Sequence, residues 1–253
     1  MSHSQLKCEF NRIAQSVQLS SVFLPTLALA KGLYGITPDN VPAAWIVSAA
    51  QAALAAGLKT IQLRSKHLTT DERRDTAHQL LQLCNTHGAL LIINDDVALA
   101  QACGAHGVHL GTNDGDIAAA RTVLGANAII GASCYNRLDL AQAAVAAGAS
   151  YVAFGAVFAS PTKPHAAVAG LELFAQAAPL GVPMVAIGGI NASNAGSAIA
   201  AGAHAVAVIS DLFSAVMIDL KSEHTLTNYA TAARQNTEKL LKLTTQSIKS
   251  QST

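Results

Sequence analysis

The sequence predicts an α/β fold, a single-domain (β/α)8 barrel, and three observations support this prediction. Eight short apolar runs, each typical of a strand, alternate with alanine-rich stretches long enough for a helix. The run Leu90–Asn94 is apolar on both faces, as expected of a parallel strand that is buried on both sides. Glycine also recurs where a helix is expected to end before a strand, since it adopts the left-handed conformation there without steric cost. These junction glycines are Gly57, Gly104, Gly148 and Gly202. A doubly wound sheet is the alternative fold.

The predicted elements set the expected domain limits. The eight strands are 32–36, 60–64, 90–94, 107–110, 128–133, 151–158, 183–189 and 205–210. We expect residues 1–31 to form an N-terminal extension and 32–240 to form the barrel. A last helix follows Asp211, and residues 241–253 form a tail that frays at its end.

Composition excludes several classes of protein. Of the 253 residues 51% are hydrophobic and 12% charged, the mean hydropathy is +0.34 and the net charge is +1. A disordered chain is excluded, and nothing indicates a nucleic-acid or membrane partner. The four cysteines show no metal-ligand spacing, so we expect buried thiols in a reducing compartment. The apolar run 21–32 is short and contains Pro25, so we expect a cytoplasmic protein without a secretory leader.

The second strand ends in polar side chains that share one face. Gln62, Arg64 and Lys66 alternate with the apolar residues Ile61 and Leu63. In a barrel, inward positions near the carboxyl ends of the strands open onto the active site. Arginine binds phosphate through two parallel hydrogen bonds and lysine adds a point charge. We predict that the three side chains converge on one anion; rim residues paired with carboxylates are the alternative. The alternation stops after Lys66 because a helix is expected to start at Thr69 or Thr70, with Glu72 as the capping partner.

Acidic side chains follow the next two strands. Asn94 and Asp95 end the third strand and Asp114 follows the fourth. Carboxylates beside a cationic strand predict Mg²⁺ that holds a polyphosphate, since Mg²⁺ prefers oxygen ligands. Asp96 and Asp116 lie just before predicted helices, so we assign them to helix N-termini rather than to the metal.

Histidine does not predict a zinc site in this chain. His106 and His109 lie on opposite faces of the fourth strand, and no third ligand is evident. We expect His109 to support the site indirectly.

The remaining strand ends complete the predicted site. Ser133 ends the fifth strand and places a hydroxyl at the rim of the barrel. The long loop after the sixth strand carries Lys163, and we expect this loop to be a mobile segment that brings the lysine to a bound anion. Gly189 ends the seventh strand, and Ile209 and Ser210 end the eighth. Before predicted helices, these strand ends predict the phosphate-binding site typical of this fold. Two anion-binding zones predict two phosphorylated substrates, one of which carries a diphosphate.

The motifs QLRSK, INDD, VHLGTND, GAS, SPTK, AIGGI and VIS, in this order over about residues 32–215, resemble the thiamine phosphate synthase family. The resemblance implies a barrel that joins a hydroxymethylpyrimidine diphosphate to a thiazole phosphate and uses Mg²⁺. It also implies a set of site residues, of which Arg64, Lys66, Ser133 and Lys163 take part in catalysis. The implied contacts are Gln62, Arg64, Lys66 and Asn94 for the pyrimidine diphosphate, Asp95 and Asp114 for Mg²⁺, Ser133 and Lys163 for the leaving diphosphate, and Ser160, Thr162, Gly189, Ile209 and Ser210 for the thiazole phosphate.

The chain departs from the family pattern at two positions. Ser160 stands where the family often has threonine, and Thr112 where it often has glutamine. Three alternatives remain: a thiazole tautomerase-like paralogue, a phosphosugar isomerase or epimerase, and a non-catalytic phosphate-binding barrel. We expect two small-molecule substrates and no nucleic-acid or membrane partner, and homo-oligomerisation is left open.

Overall fold

Eight parallel strands close into one barrel in the computed structural model, which describes residues 28–159, 169–213 and 223–250. Each strand pairs with the next along the chain, and the eighth pairs with the first. The (β/α)8 (TIM) barrel prediction is therefore confirmed, and the doubly wound sheet is excluded. The strands are β1 (Gly32–Ile36), β2 (Thr60–Leu63), β3 (Leu90–Asn94), β4 (Gly107–Leu110), β5 (Ile129–Tyr135), β6 (Tyr151–Phe154), β7 (Met184–Ile187) and β8 (Ala205–Val208).

Helices connect the strands on the outside of the barrel. They are α1 (Ala43–Ala55), α2 (Thr70–His87), α3 (Val97–Cys103), α4 (Ile117–Leu124), α5 (Leu138–Ala146), α6 (Glu172–Ala177) with a 3₁₀ turn (Ala178–Leu180), α7 (Ala195–Ala200), α8 (Ser210–Phe213) and α9 (Glu223–Ser250). Strand β7 ends before the predicted residue because Gly188 and Gly189 take φ of 96° and 66°, which an extended strand cannot contain. Thr69 caps α2 and exchanges hydrogen bonds with Glu72, which confirms the expected helix start.

Side chains alternate between the helices and the barrel axis along each strand, because the pleat of a strand has a period of two. In β2, Ile61 and Leu63 are buried against the helices, and Gln62 points inward and is 2% exposed. Tyr34, Tyr151 and their neighbours fill the interior. The interior of the barrel is therefore filled by its own side chains, so a candidate site is expected at its carboxyl end rather than inside it.

The last residues of the predicted N-terminal extension pack into the barrel. Leu29 is 5% exposed and belongs to the inner cluster. Its carbonyl oxygen accepts a hydrogen bond from His204 Nε2 at 2.9 Å. Residues 28–31 thus contribute to the amino end of the barrel, and the division at residue 31 stays a prediction.

The predicted junction glycines have the expected backbone. They have φ of 107° at Gly57, 72° at Gly104, 97° at Gly148 and 109° at Gly202. The positive values confirm that glycine is needed at these helix-to-strand junctions.

The C-terminal end differs from the prediction that it frays. Helix α9 continues through Ser250, and Thr237, Leu240 and Thr244 are at most 1% exposed. These positions repeat every three to four residues, but threonine at two of them hides the apolar period from the sequence. Their hydroxyl groups are satisfied because Thr237 and Thr244 donate to carbonyl groups of their own helix.

Three predicted buried thiols are confirmed. Cys84, Cys103 and Cys134 are buried and free of disulfides, and Cys8 lies outside the described residues. None of the helices in the described part of the chain combines the length and the apolar character needed to cross a membrane.

Candidate active site

A cavity of about 430 Å³ opens at the carboxyl ends of β2, β3 and β4. It combines predicted cationic and acidic residues in one space, as the order of strands around the barrel requires. The lining residues are Ser65, Lys66, Arg73, Asn94, Asp95, Asp96, Val97 and Asp114.

Asp95 lies directly after β3 in a left-handed backbone conformation, with φ of 63°. Its amide donates to the carbonyl oxygen of His109 at 2.8 Å, so the end of β4 holds this conformation. Asn94 Nδ2 donates to Asp95 Oδ2 at 2.5 Å. A left-handed conformation is costly for a residue other than glycine, and such residues concentrate at functional sites.

Asp114 lies in contact with Asp95 across the cavity. Its Oδ2 atom accepts a hydrogen bond from the Gly111 amide at 3.1 Å. A Cβ atom at Gly111 would lie 2.3 Å from this oxygen, so glycine leaves the space for the carboxylate. Burial raises the pKa of Asp95, the neighbouring Asp114 raises it further, and Lys66 opposes both. Negative charge on Asp95 is therefore unfavourable without a partner, and a cation bound there would stabilise its ionised form.

The other two aspartates have the structural role assigned to them. Asp96 accepts a hydrogen bond from the Leu99 amide at 2.8 Å and caps α3. Asp116 accepts one from the Ala119 amide at 2.7 Å and caps α4. Both assignments to helix N-termini are confirmed.

The three polar side chains at the end of β2 do not converge in this structure. Gln62 Nε2 donates to the Tyr34 hydroxyl at 2.8 Å, deep in the barrel. Arg64 donates to the carboxylate of Asp39, and of the three only Lys66 lines the cavity. Only Gln62 lies on β2, since the strand ends at Leu63 and Arg64 and Lys66 follow it, and both Gln62 and Arg64 bind protein partners.

A chain of hydrogen bonds crosses the barrel interior from Gln62 to Ser133. The hydroxyls of Tyr34 and Tyr151 lie 2.9 Å apart, Tyr151 lies 2.9 Å from His109 Nδ1, and His109 Nε2 lies 2.9 Å from Ser133 Oγ. Complete burial lowers the pKa of His109 to about 4, so its ring is neutral at neutral pH. The predicted supporting role of His109 thus has a structural basis.

The ends of this chain differ in what they can do. Gln62 Nε2 donates to the Tyr34 hydroxyl. The neutral His109 ring has a single N–H, so it donates to one of its two hydroxyl partners and accepts from the other. The chain thus connects Ser133, on β5, to the buried interior of the barrel.

A second candidate site lies after β7 and β8. Gly189 has φ of 66°, and a Cβ atom there would lie 2.5 Å from the carbonyl oxygen of Phe158. Asn194 Nδ2 binds the Gly189 carbonyl at 2.9 Å, and no described residue accepts a hydrogen bond from the Gly189 amide. Ile209 is half-buried beside the inner cluster, and the exposed Ser210 begins α8. Backbone amides in this arrangement are suited to an anion.

Three predicted residues lie outside the described residues. Ser160, Thr162 and Lys163 belong to the loop after β6, within 160–168. Their assignments stay predictions.

Comparison with known proteins decides the family. The model of the family described as thiamine monophosphate synthase matches residues 33–212. A thiamine-phosphate synthase of Chromobacterium violaceum is 60% identical over 185 residues, which cover 73% of this chain and 89% of that protein. The chain belongs to the thiamine monophosphate synthase family. It is thus an enzyme of the transferase class, in thiamine biosynthesis.

Other family relatives agree in sequence and structure. A thiamine-phosphate synthase of Methylobacillus flagellatus is 52% identical over 192 residues, 76% of this chain and 92% of that protein. The structure of a thiamine phosphate pyrophosphorylase from Pyrococcus furiosus has a TM-score of 0.71 and 33% identity. That match covers 86% of this chain and 96% of the other.

In this member of the thiamine monophosphate synthase family, the end of β1 also shapes the site. Thr37 is fully buried, and its hydroxyl accepts from the Arg64 amide at 2.9 Å and donates to the Arg64 carbonyl at 2.8 Å. Asp39 binds the Arg64 guanidinium and accepts from the Lys66 amide at 3.1 Å. Neither residue was predicted to belong to the site, although both follow closely after a predicted strand, which was a usable signal.

Proposed function

We propose that this chain joins 4-amino-2-methyl-5-hydroxymethylpyrimidine diphosphate to 4-methyl-5-(2-hydroxyethyl)thiazole phosphate, forming thiamine phosphate and releasing diphosphate. Family membership supports the reaction. The single observation that carries it is the contact of Asp95 with Asp114 beside Lys66, in a cavity at the carboxyl end of the barrel. A paired carboxylate site beside a lysine suits a diphosphate bound with a divalent cation.

The residues present fit Mg²⁺, and Asp95 and Asp114 would hold it. Mg²⁺ in proteins is bound through one or two carboxylates together with substrate phosphates and water. Asp96 lines the same cavity, but its carboxylate caps α3. Bound Mg²⁺ would neutralise the negative charge that develops on the departing diphosphate.

The reaction that we propose is a dissociative substitution. The bond between the pyrimidine methylene carbon and the diphosphate oxygen breaks, and its electron pair leaves with the diphosphate. The electron-rich aminopyrimidine stabilises the resulting cation, and the thiazole nitrogen then forms the new C–N bond with its own lone pair. No protein nucleophile is required, so the work of the protein is positioning and charge stabilisation.

The side chains of the barrel mouth have separate roles in this proposal. Lys66 stabilises the diphosphate from the cavity wall, and the Ser133 hydroxyl binds it as it leaves. Gly189 and Ser210 bind the thiazole phosphate through the second site. Gln62 and Asn94 bind the pyrimidine side, while Arg64 and Lys163 complete the set of cations.

The other candidate functions are less well supported. A tautomerase-like paralogue or a non-catalytic barrel would need the phosphate site after β7 and β8 but no carboxylate pair. We infer a cytoplasmic enzyme with small-molecule substrates and no nucleic-acid or membrane partner, supported by the near-neutral net charge and the buried free thiols.

Diphosphate release tests the proposed function. The purified chain, mixed with both substrates and Mg²⁺, should form thiamine phosphate and diphosphate in equal amounts, measured by chromatography and a coupled diphosphate assay. Asp95→Ala should lose this turnover and still bind thiazole phosphate, while the exposed control Asp75→Ala should keep both. Binding of both substrates without any diphosphate release would overturn the proposal.

A further inference from the structure

The cavity at the ends of β2, β3 and β4 offers little positive charge compared with the negative charge of a diphosphate. Arg64, directly after β2, has the side chain best suited to phosphate, but its charge is already balanced by Asp39. The charge of a cation held by Asp95 and Asp114 would be largely balanced by those two carboxylates. Among the described residues considered so far, only Lys66 would then contribute positive charge that no carboxylate balances, and a diphosphate carries more charge than one lysine neutralises.

Arg73 adds a second side-chain cation to the wall of this cavity. It lies near the start of α2, is half-buried, and lines the cavity together with Lys66 and Asp95. Among the described residues its guanidinium has no hydrogen-bond or ion-pair partner. Its five donor groups are therefore available to a ligand in the cavity.

The neighbouring arginine has a different environment. Arg74 is exposed and forms ion pairs with Asp71 at 3.1 Å and Asp75 at 3.7 Å. It does not line the cavity. The two residues thus have the same charge and adjacent places on one helix, and they differ in access to the candidate site.

We propose that Arg73 is a further diphosphate-binding residue of this enzyme, a role that rests on the proposed function. Its guanidinium binds phosphate oxygens of the pyrimidine diphosphate in the cavity that Asp95, Asp114 and Lys66 share. Arginine suits this position because its planar donor groups match a phosphate group in a bidentate arrangement. The thiazole phosphate is not its ligand, because Gly189 and the second site lie outside the lining of this cavity.

Two matched variants test this role. Arg73→Gln removes the charge from the cavity, and Arg74→Gln removes the same charge from the exposed side of the helix. We expect Arg73→Gln to raise KM for the pyrimidine diphosphate on the order of tenfold, as expected for a charge-assisted hydrogen bond. KM for the thiazole phosphate and the thermal midpoint should stay unchanged, and Arg73→Lys should recover part of the loss. Arg74→Gln should change none of these values.

Binding of inorganic diphosphate, measured by calorimetry with Mg²⁺, separates this role from the proposed function. Weaker binding by Arg73→Gln than by Arg74→Gln supports the role of Arg73, even if the unaltered chain forms no thiamine phosphate and the proposed function fails. Equal binding and equal KM values in both variants would overturn the inference and leave the proposed function standing. A rise of both KM values together with a lower thermal midpoint would also overturn it, because that result indicates a structural role.

Discussion

Asp39 and Arg64, 25 residues apart in the chain, form an ion pair at the barrel mouth. The second carboxylate oxygen of Asp39 accepts a hydrogen bond from the Lys66 amide at 3.1 Å. The pair is only partly exposed, with 30% of the Arg64 side chain and 22% of the Asp39 side chain accessible. Asp39 thus orients the guanidinium and the strand end that carries it.

Asp39→Asn should weaken this orientation while keeping the size of the side chain. We expect kcat/KM for the pyrimidine diphosphate to fall on the order of tenfold, because Arg64 loses the charge-assisted partner that fixes it. Steady-state kinetics with each substrate varied in turn would measure the change. Asp75→Asn, an exposed aspartate beside Arg74, is the control. A higher kcat/KM in Asp39→Asn would contradict the expectation and show that Asp39 competes with the substrate for Arg64.

Asp114 and Asp116 should respond differently to removal of their carboxylates. We expect Asp114→Ala to raise the Mg²⁺ concentration that gives half-maximal rate, because it removes one of the two carboxylates that we propose as Mg²⁺ ligands. Asp116→Ala should leave that concentration unchanged and lower the free energy of unfolding by about 1 kcal/mol, since it removes an N-cap. Mg²⁺ titrations of the rate and urea unfolding would measure both. The same shift in Mg²⁺ dependence for both variants would argue against the assignment.

His109 should make the stability of the fold depend on pH. Its pKa is about 4 in the folded chain and about 6.5 in an unfolded chain, so the unfolded state binds more protons between these values. The free energy of unfolding should therefore fall as pH decreases from 6.5 towards 4, by up to about 3 kcal/mol. Urea unfolding across this range would measure the slope.

His109→Gln supplies the comparison for this slope, and His78→Gln, on the exposed side of α2, is the control. We expect the first variant to lose much of the slope and the second to retain it. An unchanged slope in His109→Gln would show that His109 is not the group responsible.

Gly189 and Gly181 form a matched pair for the phosphate site after β7 and β8. Both have a left-handed backbone, with φ of 66° and 71°, but only Gly189 would place a Cβ atom against protein, 2.5 Å from the Phe158 carbonyl oxygen. We expect Gly189→Ala to raise KM for the thiazole phosphate on the order of tenfold, because the backbone amide has to move. Gly181→Ala should cost about 1 kcal/mol of stability from backbone strain alone and leave KM unchanged. Equal KM values in the two variants would count against a phosphate site at Gly189.

Much of the barrel could be predicted because its signals are local. The alternation in Thr60–Leu63 and the glycine at Gly104 each depend on a few neighbouring residues. The end of α9 was predicted wrongly, because Thr237 and Thr244 are polar in sequence but buried with their hydroxyls bound to their own helix. A polar residue that satisfies its own hydrogen bond can replace an apolar one in a helix interface.

The site was predicted in its residue types more than in its contacts. Asp95 and Asp114 follow adjacent strands, so the closure of any parallel barrel brings them near each other. Arg73 gave no signal, because an arginine near a helix start is usually exposed. Whether such a residue faces solvent or the cavity depends on how α2 packs against the barrel.

The sequence by itself determined the barrel, and it predicted the end of the barrel that carries the candidate site and the residues Lys66, Asp95 and Asp114 that line it. These follow from periodicity and from the residues that end each strand. Only the tertiary structure decided which partners those side chains have. Arg64 binds Asp39 across 25 residues, and Tyr34 binds Tyr151 across 117. Such partners become neighbours only when the eight strands close, so the contacts depend on the geometry of the whole barrel rather than on any local pattern.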